Sequence, residues 1–209
     1  MQTIIFDFDY TLADSSVGAI KCICYALKKL KNAPPDENEI RKTIGMSLNE
    51  TYTFLTGELN KTKAKQFSKY FIEKADQIMS SNTILFPDTT STILRLHKRN
   101  YRLGIVSTKF RYRIIEVLRR ERLDSYFDAI IGGEDVKSHK PDPEGLFAII
   151  DHFNIKPQDV LYVGDSIVDA KTAINAGVRF VALLTGVTSK EEFEEYNVEK
   201  IIPGLAHLC

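Results

Sequence analysis

Two aspartates, Asp7 and Asp9, close an apolar, β-prone run, Ile4-Ile5-Phe6, and are followed by Thr11 and Asp14. Side chains alternate along a strand, so this spacing predicts both carboxylates on one side. Two like charges at the end of a buried strand repel each other and lose hydration. A hard divalent cation held by oxygen ligands resolves that conflict. Three further constellations fall near the ends of later apolar runs. Gly104-Ile105-Val106-Ser107-Thr108-Lys109 ends in two hydroxyls and a lysine. Ser138-His139-Lys140-Pro141-Asp142-Pro143 sets a lysine in a proline-bracketed turn. Val163-Gly164-Asp165-Ser166-Ile167-Val168-Asp169 joins a turn glycine to two acids four residues apart. Each has an innocent reading alone, as a helix N-cap or a surface turn. All four together, in this order and at strand ends, are hard to explain as structure.

The elements that must position these residues follow from periodicity. Strands are predicted near residues 3–8, 102–107, 129–132, 160–163, 180–184 and 200–202, with amphipathic helices over 88–99, 111–122, 144–153 and 169–176. Strands alternating with helices of this length predict right-handed βαβ crossovers, hence a parallel, doubly wound α/β sheet with helices on both faces. One piece breaks the rhythm. Between about residue 15 and residue 79 only helix-like segments occur, with stripes such as Ile20, Ile23, Leu27 and Leu30 or Tyr70, Phe71, Lys74 and Ile78. The division expected is a catalytic core of residues 1–14 and 83–209 and an inserted α-helical cap of residues 15–82, lying over the carboxyl edge of the sheet where α/β proteins bind ligands.

Composition narrows the function class. With 28 basic and 28 acidic residues no global field attracts nucleic acid or an anionic membrane. No run approaches the roughly 20 apolar residues of a membrane span, and no basic, apolar leader opens the chain. Cys22, Cys24 and Cys209 cannot build a disulfide framework, and four scattered histidines show no HxxxH spacing. The expectation is a cytoplasmic monomer without nucleic-acid or membrane partners. The basic residues Arg111, Arg113, Arg119, Arg120 and Arg122 are partly neutralised by Glu116, Glu121 and Asp124 and read as a solvated helix face, whereas Lys109 points to the site's rim.

In this order the DxDxT stretch, the strand-terminal Ser107, the downstream Lys140-Pro141 and the GDxxxD run resemble the four motifs of the haloacid dehalogenase superfamily of phosphohydrolases and phosphomutases, over residues 1 to about 186. The resemblance implies a Rossmann-like core with an α-helical cap, and it implies roles. Asp7 would be the nucleophile that forms an aspartyl-phosphate, and Asp9 would protonate the leaving oxygen and then activate water. Asp7, the backbone carbonyl of Asp9, and Asp165 would hold Mg²⁺. Ser107 and Lys140 would bind phosphoryl oxygens, with Thr11, Thr108 and Lys109 adding donors. Asp169 would support the metal shell or Lys140.

Two departures stand out, Tyr10 where relatives commonly have Gly and Asp88 after Pro87 where many have Gly. Tyr10 must use ordinary backbone angles or accept strain. The expected reaction is Mg²⁺-dependent hydrolysis of a small phosphorylated metabolite, phosphoglycolate-like. Pyrophosphate or a nucleotide remains open within the same reading. A phosphosugar mutase similar to β-phosphoglucomutase is the nearest alternative. Its cap arginine would fall at Leu48 in Gly45-Met46-Ser47-Leu48, which favours the hydrolase. Dehalogenation disagrees with Asp9, and a purely binding role disagrees with the intact set of Asp7, Asp9, Lys140 and Asp165. Arg41, Lys42 and residues 43–47 are the cap positions expected near the substrate, with cap opening gating access.

Overall fold

A computed structural model describes residues 2–208. Its main sheet has six parallel strands: β1 (Thr3–Phe6), β4 (Arg102–Val106), β5 (Ala129–Ile131), β6 (Val160–Gly164), β7 (Arg179–Leu183) and β8 (Lys200–Ile202). They lie in the order β5-β4-β1-β6-β7-β8, so the chain winds outward from β1 first to one edge and then to the other. Alternation along the strands divides the interior. Ile4 and Phe6 join the layer under α5 (Thr89–Lys98) and α6 (Arg111–Arg120). Ile5 joins the layer under α7 (Glu144–Phe153), α8 (Ile167–Ala176) and α9 (Lys190–Glu194). The sheet is therefore buried on both faces, as apolar strands require. The winding reverses between β1 and β6, the position where open α/β sheets bind ligands.

Between β1 and α5 the chain forms α1 (Ser16–Lys29), α2 (Glu37–Arg41), α3 (Leu48–Thr56) and α4 (Lys61–Ile78). These have a core of their own. Cys22, Ile23, Ala26 and Leu27 of α1 pack with Phe67, Phe71 and Ala75 of α4 and with Tyr52 of α3. Local signals set the helix ends: Ser47 and Glu50 form a reciprocal capping box at α3, Gly57 ends it in the left-handed region, and Asn60 caps α4. Two short strands absent from the sequence expectation, β2 (Ala13–Asp14) and β3 (Ile84–Leu85), pair antiparallel where the helical segment leaves and rejoins the chain. Strands of two residues carry no periodic signal to read.

Other differences are local. β1 ends at Phe6, so Asp7 and Asp9 lie beyond the strand and not within it. The turn after them is tied to the Phe8 carbonyl by the amides of Leu12 (2.9 Å) and Ala13 (3.1 Å). Cys22 is buried on α1 and Cys24 is half-buried, while Cys209 lies outside the described residues. Arg113 departs from the solvated face expected of its helix. It is buried and bonds Asp76 of α4 through Nε (3.2 Å) and Nη2 (2.6 Å). Among the described residues no helix is long and apolar enough to cross a membrane.

Candidate active site

Four strand ends converge at the reversal in the winding. The Asp7 amide donates to the Val163 carbonyl (2.9 Å), which ties the residue after β1 to the end of β6 and brings it beside Asp165. Carboxylate oxygens of Asp7, Asp165 and Asp169 all lie within 4.8 Å of one another, in full burial. Lys140, from the turn between β5 and α7, enters this cluster, with Nζ 2.6 Å from Asp169 Oδ1 and 3.0 Å from Asp7 Oδ1.

The three acids are not equivalent. Asp169 is saturated: Oδ1 accepts from Lys140 Nζ and from the Tyr162 hydroxyl (2.8 Å), and Oδ2 accepts from the Ser166 hydroxyl (2.6 Å) and amide (3.2 Å). It doubles as the third helical residue of a capping box on α8, so the innocent capping reading of this acid holds as well. Asp165 Oδ1 accepts from the Thr11 hydroxyl (3.0 Å), which leaves Oδ2 uncommitted. A side chain at Gly186 would collide with Oδ2, so a glycine backbone must pass there. Asp7 Oδ1 is buried and, despite the nearby ammonium, has no aligned hydrogen-bond donor.

The electrostatics follow from this arrangement. Burial pushes the Asp7 carboxyl up to about 6, with Lys140 opposing and Asp169 and Asp9 reinforcing the shift. Burial also pushes Asp165 well above the usual carboxylate range, helped by Asp169 and Asp7. Burial alone would lower Lys140, but the Asp169 and Asp7 carboxylates outweigh it and hold the ammonium above its ordinary value. One ammonium facing three buried carboxylates leaves negative charge uncompensated. An orphaned Asp7 oxygen, a free Asp165 oxygen and an all-oxygen donor set fit a hard divalent cation such as Mg²⁺.

Asp9 is set apart from this cluster. Its carboxylate accepts from the Ser15 hydroxyl (2.6 Å) and from Lys109 Nζ (2.9 and 3.3 Å), and it faces a separate cavity under the helical segment. Ser107 Oγ accepts from the Lys109 amide (3.3 Å) beside the small recess that Lys140 also lines. Thr108 reaches the other way, donating to the Gly45 carbonyl (3.1 Å). Tyr10 takes a left-handed φ of 58°, the strained alternative. Its carbonyl accepts from the Thr185 hydroxyl (2.5 Å) and its hydroxyl from Arg41 Nη1 (3.4 Å). Residues 43–47 line the cavity, whereas Lys42 pairs with Glu39 at the surface.

A haloacid dehalogenase-like hydrolase family model matches residues 4–183. The chain belongs to this family. A haloacid dehalogenase-like hydrolase of Bacteroides fragilis superposes with a TM-score of 0.97 at 45% identity, covering 100% of this chain and 99% of that one. A phosphoglycolate phosphatase of Salmonella typhi is 30% identical over 211 residues, 89% of this chain and 82% of its own length. The pyrophosphatase PpaX of Bacillus mycoides is 25% identical over 208 residues, 100% of this chain and 95% of its own length.

Sequence reasoning missed three supports of this haloacid dehalogenase-like site. Tyr162, fully buried in β6, bonds Asp169 and accepts from Lys140 Nζ (3.3 Å). Its strand alternation marked it only as core. Ser15 and Ser166 hold Asp9 and Asp169, and as lone serines near helix starts they read as caps.

Proposed function

We propose that this haloacid dehalogenase-like phosphatase hydrolyses a small phosphomonoester with Mg²⁺, using the residues of 1–14 and 83–209 for chemistry and those of 15–82 as a cap that selects the substrate. The observation that carries this reading is the division of the aspartates. Asp7 sits among the buried oxygens beside Lys140, and Asp9 turns away toward the cavity on its own pair of donors. Acids placed in such different surroundings suit different roles. Asp7 would attack phosphorus and carry the phosphoryl group as an acyl phosphate. Asp9, on the cavity side, would give a proton to the departing oxygen and later take one from water. Lys140 and Ser107 would hold the phosphoryl oxygens, and Asp169 with Tyr162 would keep Lys140 in place. Asp7, the Asp9 carbonyl and Asp165 would hold the cation. When bound, the cation would offset the repulsion between the nucleophile and an anionic phosphoryl group.

Leu48, where a phosphosugar mutase would carry its cap arginine, lies on the cavity wall and offers no charge for a second phosphate. That supports hydrolase over mutase. The relatives named for phosphoglycolate and pyrophosphate make those two compounds the first to assay. Phosphate release from a panel of phosphomonoesters and pyrophosphate should require Mg²⁺, cease with EDTA, and fall by at least about a thousandfold in Asp7→Asn. Release that persists in Asp7→Asn would sink the aspartyl-phosphate route.

A further inference from the structure

The cavity on which Asp9 opens has a volume of about 220 Å³ and lies, partly open to solvent, between α1, α4, residues 43–49 and the start of α6. A glycolate or phosphate leaving group would leave most of it unfilled. The wall is largely hydrocarbon: Ile23, Ile44, Met46, Leu48, Phe71 and Phe110 all contribute. Most hydroxyls on the wall are committed within the protein, that of Ser47 to Glu50; the Thr51 hydroxyl and the Asn49 amide have no partner among the described residues. Ser15 donates to Asp9, Thr43 to the Ile40 carbonyl, Ser68 to the Ala64 carbonyl and Thr108 to the Gly45 carbonyl.

The charges are committed too. Lys109 is bonded to Asp9, and Arg113 is bonded to Asp76. A second phosphate or a carboxylate lodged there would lose its hydration beside cations that already have partners, an unfavourable transfer. From the volume, the hydrocarbon wall and the paired charges, we infer that the enzyme's substrate is a phosphomonoester whose leaving group is uncharged and predominantly apolar, larger than glycolate. The inference rests on the assignment of Asp9 to the leaving-group side.

The test is a series of n-alkyl phosphates from ethyl to hexyl, in which the leaving-group chemistry is constant and only apolar length changes. Phosphoglycolate and pyrophosphate run beside them, with Mg²⁺ and with Asp7→Asn as the blank. The expected result is a rise in kcat/KM of about threefold per methylene, with hexyl phosphate above both compounds that have charged leaving groups. Ile72 of α4 also lines the cavity, and the cavity-filling variant Ile72→Trp should then lower the hexyl-to-ethyl ratio at least about tenfold. Metal-dependent hydrolysis that is flat or falling with chain length, or fastest with phosphoglycolate or pyrophosphate, would overturn the inference and leave the phosphomonoesterase reading standing. An absence of Asp7-dependent release from every compound would overturn both.

Discussion

At the scale of residues, the site is held by saturating one acid so that its neighbours stay available. Asp169 has both oxygens filled by Lys140, Tyr162 and Ser166. It therefore fixes Lys140 against Asp7 without competing for a cation. Asp169→Asn should leave the buried ammonium with weaker company and lower stability by about 2 kcal/mol, with a loss in kcat larger than any change in KM. Urea unfolding and steady-state kinetics would measure both, and an unchanged kcat would refute the positioning role. Tyr10 shows the opposite arrangement, a residue kept in an unfavourable conformation. An aromatic side chain in the left-handed region is disfavoured by about 1 kcal/mol. It is held there by the Thr185 hydroxyl, by the Ala13 carbonyl (2.7 Å from its amide) and by burial of its ring.

At the scale of elements, α6 is the strut that ties the helical segment to the sheet. Arg113 and Tyr112 both bond Asp76 of α4, and Arg120 donates to the carbonyls of Ser80 (2.6 Å) and Thr83 (2.7 Å). Asp76→Ala strands a buried guanidinium, but the aspartate is half exposed, so the expected loss is modest, about 1–2 kcal/mol. The same variant should expose residues near 80–85 to limited proteolysis. Cleavage no faster than in the parent protein would show that α6 does not brace the segment. The strut was illegible in the sequence because five arginines interspersed with Glu116, Glu121 and Asp124 resemble any solvated helix, and only the position of Asp76 buries one of them. The six strands of the main sheet were legible as apolar runs because both their faces are buried, and the helices between them by the 3.6 period that burial on one face produces. So was the gathering of Asp7, Asp165, Asp169 and Lys140 near strand ends, because few residue types suit the chemistry proposed for them. Tyr162, Ser15 and Ser166 were not, because hydroxyls that steady another side chain follow no spacing rule.

At the scale of the whole molecule, the buried acids should couple stability to pH and, on the proposed cation site, to Mg²⁺. Asp7 is raised from 3.8 to about 6 by burial, so the folded, metal-free protein keeps a proton that the unfolded chain has lost between those values. Stability should therefore fall as pH rises through that window and level off above it. A cation competes with that proton, so Mg²⁺ should raise the melting temperature clearly near pH 7.5 and hardly at all near pH 4.5. Thermal unfolding in Mg²⁺ and in EDTA across this range would show it; an equal gain at both ends would contradict the assignment of Asp7 to the cation.

The short pair β2 and β3 has a wider consequence. With Ala13 opposite Leu85 and Asp14 opposite Ile84, the whole run of helices from α1 to α4 hangs from the sheet as the loop of a single hairpin. Lengthening such a loop costs only a logarithmic increment of closure entropy. Lineages can thus exchange, enlarge or trim what hangs from that hairpin while Asp7, Lys140 and Asp165 keep their places. On the proposed role of these helices as the substrate-selecting cap, descent of the reaction and descent of its substrate can then follow separate histories within one gene.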